Sequence, residues 1–235
     1  MSAGDNQNSA VLGGSIKPIV RTFYNPVPGR ERPQKLLNLW AETWQAGGFD
    51  TQILSEEDAR SHPGYKYFND RVSRFPTVNP REYERACFIR HLAMANIGGG
   101  LAVDYDVMLM NHIPEFEPVE GFGVFPPFPY ILEPTRVPCA VMGTEEAFEQ
   151  ICDYLCEYQP AQQENHVSDM TILRKTRIQT GSSCVEHLCS GHPIQDDLGD
   201  GWKTAPLVHF STFSFAKLGW KGDKADLILR VLKTL

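Results

Sequence analysis

The sequence predicts an α/β fold, a central mixed and mostly parallel sheet flanked by helices. Three observations predict it. The chain opens on a strand–helix–strand pattern, which favours a parallel pair. A helical segment then runs into Gly98-Gly99-Gly100 and directly on into the short apolar run Leu101-Ala102-Val103, as a buried central strand would read. Strand-like and helix-like segments go on alternating towards the C terminus, with a more mixed second half.

Residues 1–14 are small and polar and end in Gly13-Gly14. They read as a loose leader, with 15–235 as a single domain. Residues 16–24 (IKPIVRTFY) form the first predicted strand, with Pro18 interrupting its start. A loop rich in proline and glycine covers 25–33. Residues 34–46 read as a helix, because Leu37, Trp40 and Trp44 recur at helical spacing and Gly47-Gly48 stop it. A second strand follows at 49–54.

The polar segment 55–78 reads as irregular. Asn79 is the expected cap of the next helix, Pro80 suits its first position, and Glu82 sits where a capping box places an acid. Tyr83, Ala86, Ile89, Ala93 and Ile97 form its predicted apolar stripe. Beyond the glycine run and the central strand, strands are predicted at 121–125 and 137–142, separated by a proline-rich loop. Helices are predicted at 144–158, with Thr144 as cap, and at 168–175. A last strand is predicted at 206–211 and a C-terminal helix at 223–235.

Hydrophobic residues make up 42% of the 235 and charged residues 22%, enough for a sizeable core. The formal net charge of -7 speaks against a broad nucleic-acid surface, which needs basic residues to replace counterions. It leaves room for a local basic pocket that takes a diphosphate. Six scattered cysteines are too few for a disulfide scaffold in a chain this long. There is no signal-peptide pattern, no apolar stretch approaching the ~18 residues of a membrane span, and no Asn-X-Ser/Thr triplet. These features point to a cytoplasmic, reducing setting, although a clipped chain would read the same.

Asp104 and Asp106 carry the chemistry. Residues two apart in an extended chain point to one side, so both carboxylates are expected to face one crevice beyond the strand's C-terminal end. Open α/β sheets bind ligands there. Hard oxygen ligands suit Mg²⁺ or Mn²⁺, and a metal held by one or two carboxylates fills its shell with water and phosphate oxygens. Such a metal would neutralise a leaving diphosphate. The same two acids also read as a solvated turn; the helix, glycine run and apolar strand ahead of them favour the functional reading.

The segment from Arg90-His91-Leu92 through Gly99-Gly100-Leu101-Ala102-Val103-Asp104-Tyr105-Asp106-Val107 resembles the glycosyltransferases with a DXD motif. The likeness is to the group that includes Golgi outer-chain mannosyltransferases and the large glucosylating toxins, and its close part spans roughly a tenth of the chain. It implies a GT-A fold, a nucleotide-sugar donor, a hydroxyl acceptor on a glycan or other molecule, and transfer with retention. UDP is favoured over GDP as the donor's nucleotide. By the same resemblance Asp104 contacts the sugar or ribose, and Asp106 binds Mn²⁺ or Mg²⁺ directly. The donor-contacting helix arginine is Arg90 if the third glycine is an insertion; without it the position falls on His91. The late histidine that completes the site is His209, in Val208-His209-Phe210-Ser211.

Four further positions carry expectations with plain alternatives. Thr22 and Tyr24, at the end of the first strand, face the nucleotide or belong to the core. Asp169, in Ser168-Asp169-Met170, orients the sugar or acceptor or merely caps a helix. Lys221 reaches the diphosphate or is a solvated lysine. Thr180-Gly181-Ser182 resembles a Thr-Gly-Pro loop of the family, and Ser214-Phe215 stands where relatives often have Ser-Trp, ahead of Trp220.

Rival readings follow from other residues. Cys184, His187, Cys189 and His192 have zinc-ligand chemistry, but their middle gap is unlike common zinc sites. A sugar nucleotidyltransferase would carry a glycine-rich basic loop after its first strand, which 25–33 matches poorly. A non-catalytic descendant would bind sugar or nucleotide without transfer. An inverting enzyme would need a general base, for which Asp169 or Glu133 could serve.

Overall fold

The computed structural model describes residues 17–29, 31–111, 113, 125–180, 204–211 and 221–233, and the backbone of 185–187. The first strand, β1 (Ile19–Phe23), starts just after Pro18, later than expected. Proline has no N–H for a ladder, though its carbonyl still accepts from Asp50 N at 2.9 Å. Helix α1 (Gln34–Ala46) buries Leu36, Leu37, Leu39, Trp40 and Trp44. β2 (Asp50–Leu54) then lies parallel to β1, with Ile19 opposite Asp50 and Phe23 opposite Leu54. The opening strand–helix–strand unit is as expected.

The segment 55–78 is not irregular. It holds α2 (Glu56–Arg60) and α3 (Tyr65–Val72). Ser55 caps α2 reciprocally: its Oγ accepts from Glu57 N at 3.3 Å, while Asp58 accepts from Ser55 N at 2.7 Å. Polar composition hid these helices because their packing is partly ionic. Buried Glu56 accepts from Arg85 at 2.5 and 2.9 Å, from Arg60 at 3.2 Å, from Asn25 at 3.0 Å, and from the Tyr65 hydroxyl.

Helix α4 (Arg81–Asn96) departs from expectation in two ways. Its start has no side-chain cap: Pro80 holds the position before the helix, and Asn79 donates instead to the Glu84 carboxylate at 2.7 Å. Nor does it show a single apolar stripe. Phe88, Ile89, His91, Leu92, Ala93, Met94 and Ala95 are all buried, while Tyr83 is 41% exposed. A helix buried on nearly every side is a central one, and α4 packs on α2 and α3 and on a later helix.

β3 (Gly99–Val103) joins β1 in parallel. Gly99 and Gly100 are part of this strand, so the glycine run does more than stop the helix. Gly99 has φ +79, and a Cβ there would lie 2.5 Å from the Gly143 carbonyl oxygen. The chain continues through β4 (Val107–Leu109), β5 (Tyr130–Ile131), β6 (Ala140–Thr144) and α5 (Glu145–Glu157). Then come α6 (Asp169–Leu173), β7 (Gln179–Thr180), β8 (Val185–His187), β9 (Leu207–His209) and α7 (Lys224–Leu232). The strand predicted at 137–142 begins later, after Pro138, and Thr144 precedes α5 without a side-chain capping bond. The strand predicted at 121–125 lies outside the described residues except for Phe125, and the leader 1–14 lies outside them entirely.

The main sheet has the order β2-β1-β3-β6-β5-β7, and three of its five pairings are parallel. A second sheet has the order β4-β9-β8. One apolar cluster gathers α1, α7, β4 and β9 around residues such as Val20, Leu101 and Met142. The other gathers α2 to α6 around Leu54, Ile131 and Val141. The sheet's two faces are thus covered by helices, with β3 at the centre. Among the described residues, no helix is long and apolar enough to cross a membrane.

Candidate active site

Asp104-Tyr105-Asp106 links β3 of the main sheet to β4 of the second. It is a tight turn, not an extended run. Val107 N donates to Asp104 O at 2.9 Å, closing the turn, and Asp104 N donates to Cys139 O at 2.8 Å. Phe210 N donates to Asp106 O at 2.8 Å. The expected pleat therefore does not bring the two acids together; the turn and its backbone clamps do. The Trp44 indole N–H donates to Val107 O at 3.1 Å, so α1 fixes the exit of the turn.

The β4–β9 ladder sets Val107 opposite His209. That register carries the imidazole to Asp106, with Nε2 3.4 Å from Oδ1. One ligand atom from each of Asp104, Asp106 and His209 lies within 4.8 Å of the others. Two carboxylate oxygens and an imidazole nitrogen are ligand atoms that can hold a divalent cation, so these residues fit one. Asp104 belongs to the cluster together with Asp106 and His209. Lys224, at the start of α7, donates to Asp106 Oδ2 at 2.8 Å.

A second set of contacts supports Asp104 from below. Arg90 of α4 donates one nitrogen to Asp104 and another to Asp169 at 2.6 Å. His91 Nε2 lies 3.0 Å from the same Asp169 oxygen. Ser168 caps α6, its Oγ accepting from Thr171 N at 3.2 Å, which leaves Asp169 to face Arg90 and His91. Asp169 is 4% exposed and His91 2%, so this is an interior ionic network.

The electrostatics divide the acids. Burial pushes the Asp104 carboxyl up to about 6, with the like charge of Asp106 adding to it and Arg90 opposing. Burial also penalises the Asp106 carboxylate, but Lys224 and His209 outweigh it and hold it well below the usual range. Asp169 is likewise lowered to about 2, since Arg90 and His91 overcome its burial. Burial depresses His91, which stays a neutral imidazole and donates Nε2–H to Asp169. His209 is raised well above the usual histidine value, its neighbours Cys139 and Asp106 outweighing burial. The Cys139 thiol is itself pushed up by burial, so it is not a thiolate nucleophile at neutral pH.

Two solved structures are similar to this chain. One is a glycosyltransferase involved in the glycosylation of the major capsid of PBCV-1. It is 12% identical with a TM-score of 0.49, over 90% of this chain and 100% of that one. The other is mouse xyloside xylosyltransferase 1 in its apo form, 9% identical with a TM-score of 0.47, over 85% of this chain and 99% of that one. No protein-family model and no curated protein matches the sequence.

A narrow crevice of about 20 Å³ lies beside the turn, lined among others by Thr22, Arg90, His91, Ala102 and Asp104. Thr22 is 2% exposed, and among the described residues its Oγ1 has no hydrogen-bond partner; nor has Arg90 Nε. Tyr24 packs edge-on against Tyr105, centroids 6.2 Å apart, with the Arg32 guanidinium 5.2 Å from its ring centre. Thr22 and Tyr24 thus flank the Asp104–Asp106 turn. Lys221 is exposed, and the cation that reaches Asp106 is Lys224 instead. Glu133 is buried in its own loop, accepting from Thr135 Oγ1 and from Val137 N at 2.8 Å.

Neither Lys224 nor the His91 contact is foreseen from the sequence. For Lys224 one signal exists: a lysine at the first position of a helix opposes the helix dipole, and an acid elsewhere compensates it. The Cys184–His192 constellation lies outside the described residues apart from the backbone of 185–187. Gly181-Ser182, Ser214-Phe215 and Trp220 lie outside them as well.

Proposed function

We propose that this chain is a metal-dependent glycosyltransferase that moves a sugar from a nucleotide-sugar donor to a hydroxyl acceptor, with 15–235 as one catalytic domain. The observation that carries the reading is the convergence of Asp104, Asp106 and His209 at the C-terminal end of β3, beside a crevice. That is the place where an α/β sheet presents a ligand site. The sequence resemblance around Asp104-Tyr105-Asp106 supports the same chemistry, with UDP favoured over GDP and retention of configuration.

Asp106 and His209 would hold Mn²⁺ or Mg²⁺, with Asp104 beside them or turned to the sugar. A divalent ion bound there would supply positive charge to neutralise a departing diphosphate. Arg90 adds a fixed positive charge under Asp104, worth most where water is excluded. Asp169 sets the direction of Arg90 and bears on the sugar or acceptor through it. Thr22 offers a hydroxyl to the nucleotide, and Tyr24 an aromatic edge beside Tyr105. Lys221 stands three residues before Lys224, near enough in sequence for a second phosphate contact. The four described cysteines are free thiols, in keeping with a reducing, cytoplasmic setting.

The test is calorimetric titration of UDP and of GDP, with Mn²⁺ and with chelator, into wild type and Asp106→Ala. Metal-dependent binding of one nucleotide that disappears in the variant supports the reading and names the base. Binding of neither, or binding indifferent to metal and to Asp106, removes it.

A further inference from the structure

Each acid of the Asp104–Asp106 pair already faces a cation of the chain itself. Arg90 pairs with Asp104, and Lys224 and His209 flank the two oxygens of Asp106. The two flanking groups differ in what a divalent ion would do to them. The His209 imidazolium can release its proton as a metal arrives and become a ligand; the Lys224 ammonium, with donors only and a far higher ordinary pKa, stays a cation. A divalent ion on Asp106 would lie close to the Lys224 ammonium, and like charges at that range repel.

Lys224 is built to move while its helix stays. Asp223 caps α7, accepting from Ala225 N at 2.7 Å and Asp226 N at 3.3 Å. Lys35 of α1 pairs with Asp226. Ala225, Leu227, Ile228 and Val231 are buried in the core. The helix is thereby anchored, whereas the lysine side chain is 20% exposed and hangs on a flexible four-carbon stem.

We propose that Lys224 is the resident counter-ion of Asp106 and competes with the divalent cation for it, so that the cation binds weakly until a diphosphate gives the displaced ammonium a new partner. The proposal rests on the metal-site reading above. It makes metal and nucleoside diphosphate bind cooperatively through one side chain, a linkage that runs equally in both directions.

The test follows free Mn²⁺ by electron paramagnetic resonance during titration of the full chain, with and without UDP. The variants are Lys224→Met, Lys224→Gln, Lys224→Arg and Asp106→Asn, each checked for folding by circular dichroism. Without UDP, Lys224→Met and Lys224→Gln should bind Mn²⁺ about tenfold more tightly than wild type, a typical size for coupling between sites. Lys224→Arg, which keeps the charge, should stay near wild type, and Asp106→Asn should lose binding. The gain in Mn²⁺ affinity on adding UDP should be smaller in Lys224→Met by about the same tenfold factor. Equal or weaker Mn²⁺ binding by both neutral variants, with wild type still binding through Asp106, overturns the competition and leaves the metal site standing. Absence of Mn²⁺ binding in wild type and in both neutral variants removes the metal site and the proposal together.

Discussion

Arg90 bridges Asp104 and Asp169, one nitrogen to each, and so ties the acid that ends the central strand to an acid at the start of α6. The bridge sits in the interior, and its parts depend on one another. Arg90→Ala leaves Asp169 buried with only His91 and the Met170 N–H beside it, and no full charge to balance it. It should destabilise the chain by about 3–5 kcal/mol, the usual cost of stranding a buried charge. Arg90→Ala with Asp169→Asn should recover part of that loss. Urea denaturation of the single and double variants measures both, and additive losses would refute the coupling.

Glu56 makes stability depend on pH. The Arg85 hydrogen bonds, opposed by burial and helped by Tyr65, lower its carboxyl to about 2 from an ordinary 4.5. The unfolded chain therefore takes up the proton first as pH falls. The contribution is complete above about pH 4.5 and is lost as pH drops towards 2. A shift of this size corresponds to about 3 kcal/mol. Glu56→Gln should cost roughly that much at pH 7, and its deficit against wild type should shrink between pH 4.5 and 2. Denaturant titrations across that range read the difference directly.

Thr22 separates a binding role from a structural one. Its buried hydroxyl lacks a partner among the described residues, so Thr22→Val should change the stability of the ligand-free chain by less than about 1 kcal/mol, or raise it. If the hydroxyl serves the nucleotide, the same variant should weaken UDP binding by about 3- to 10-fold. Thermal unfolding and calorimetry on one preparation give both numbers.

Metal should stabilise the fold through His209. Mn²⁺ at 100 times its Kd adds about 2.7 kcal/mol, which raises Tm by roughly 5–10 °C in a chain of this size. Chelator should reverse the rise, and His209→Ala should show little of it. A full rise in His209→Ala would exclude the imidazole as a ligand.

Gly99 tests the strand's approach to its neighbour. A Cβ there meets the Gly143 carbonyl oxygen at 2.5 Å, and φ is +79. Gly99→Ala should cost more than roughly 2 kcal/mol, where a surface glycine would gain on the same change. Urea midpoints decide it.

The elements that follow local rules are readable from residues alone. α1 is legible because Leu37, Trp40 and Trp44 repeat at helical spacing and two glycines end it. β3 and Asp104-Tyr105-Asp106 are legible because the glycine run and the apolar strand are contiguous. α2 and α3 are not, because Glu56 and Arg85 are 29 residues apart and their pairing turns a polar stretch into a packed one. The capping expectation fails at Asn79, whose amide goes to Glu84 instead. Lys224 is hidden for a similar reason: only the fold brings it to Asp106, and the nearer-looking Lys221 stays in solvent.

The clamps on the Asp104–Asp106 turn have a consequence for how the protein is made. His209 and Lys224 reach Asp106 from more than a hundred positions further along the chain. Synthesis delivers the N-terminal part first. A nascent chain therefore carries both aspartates long before β9 and α7 emerge from the ribosome, and until then they have neither imidazole nor ammonium beside them. On the metal-site reading, the imidazole arrives with β9 and the competing ammonium only later with α7, so metal uptake would mark a chain that has paired β9 with β4.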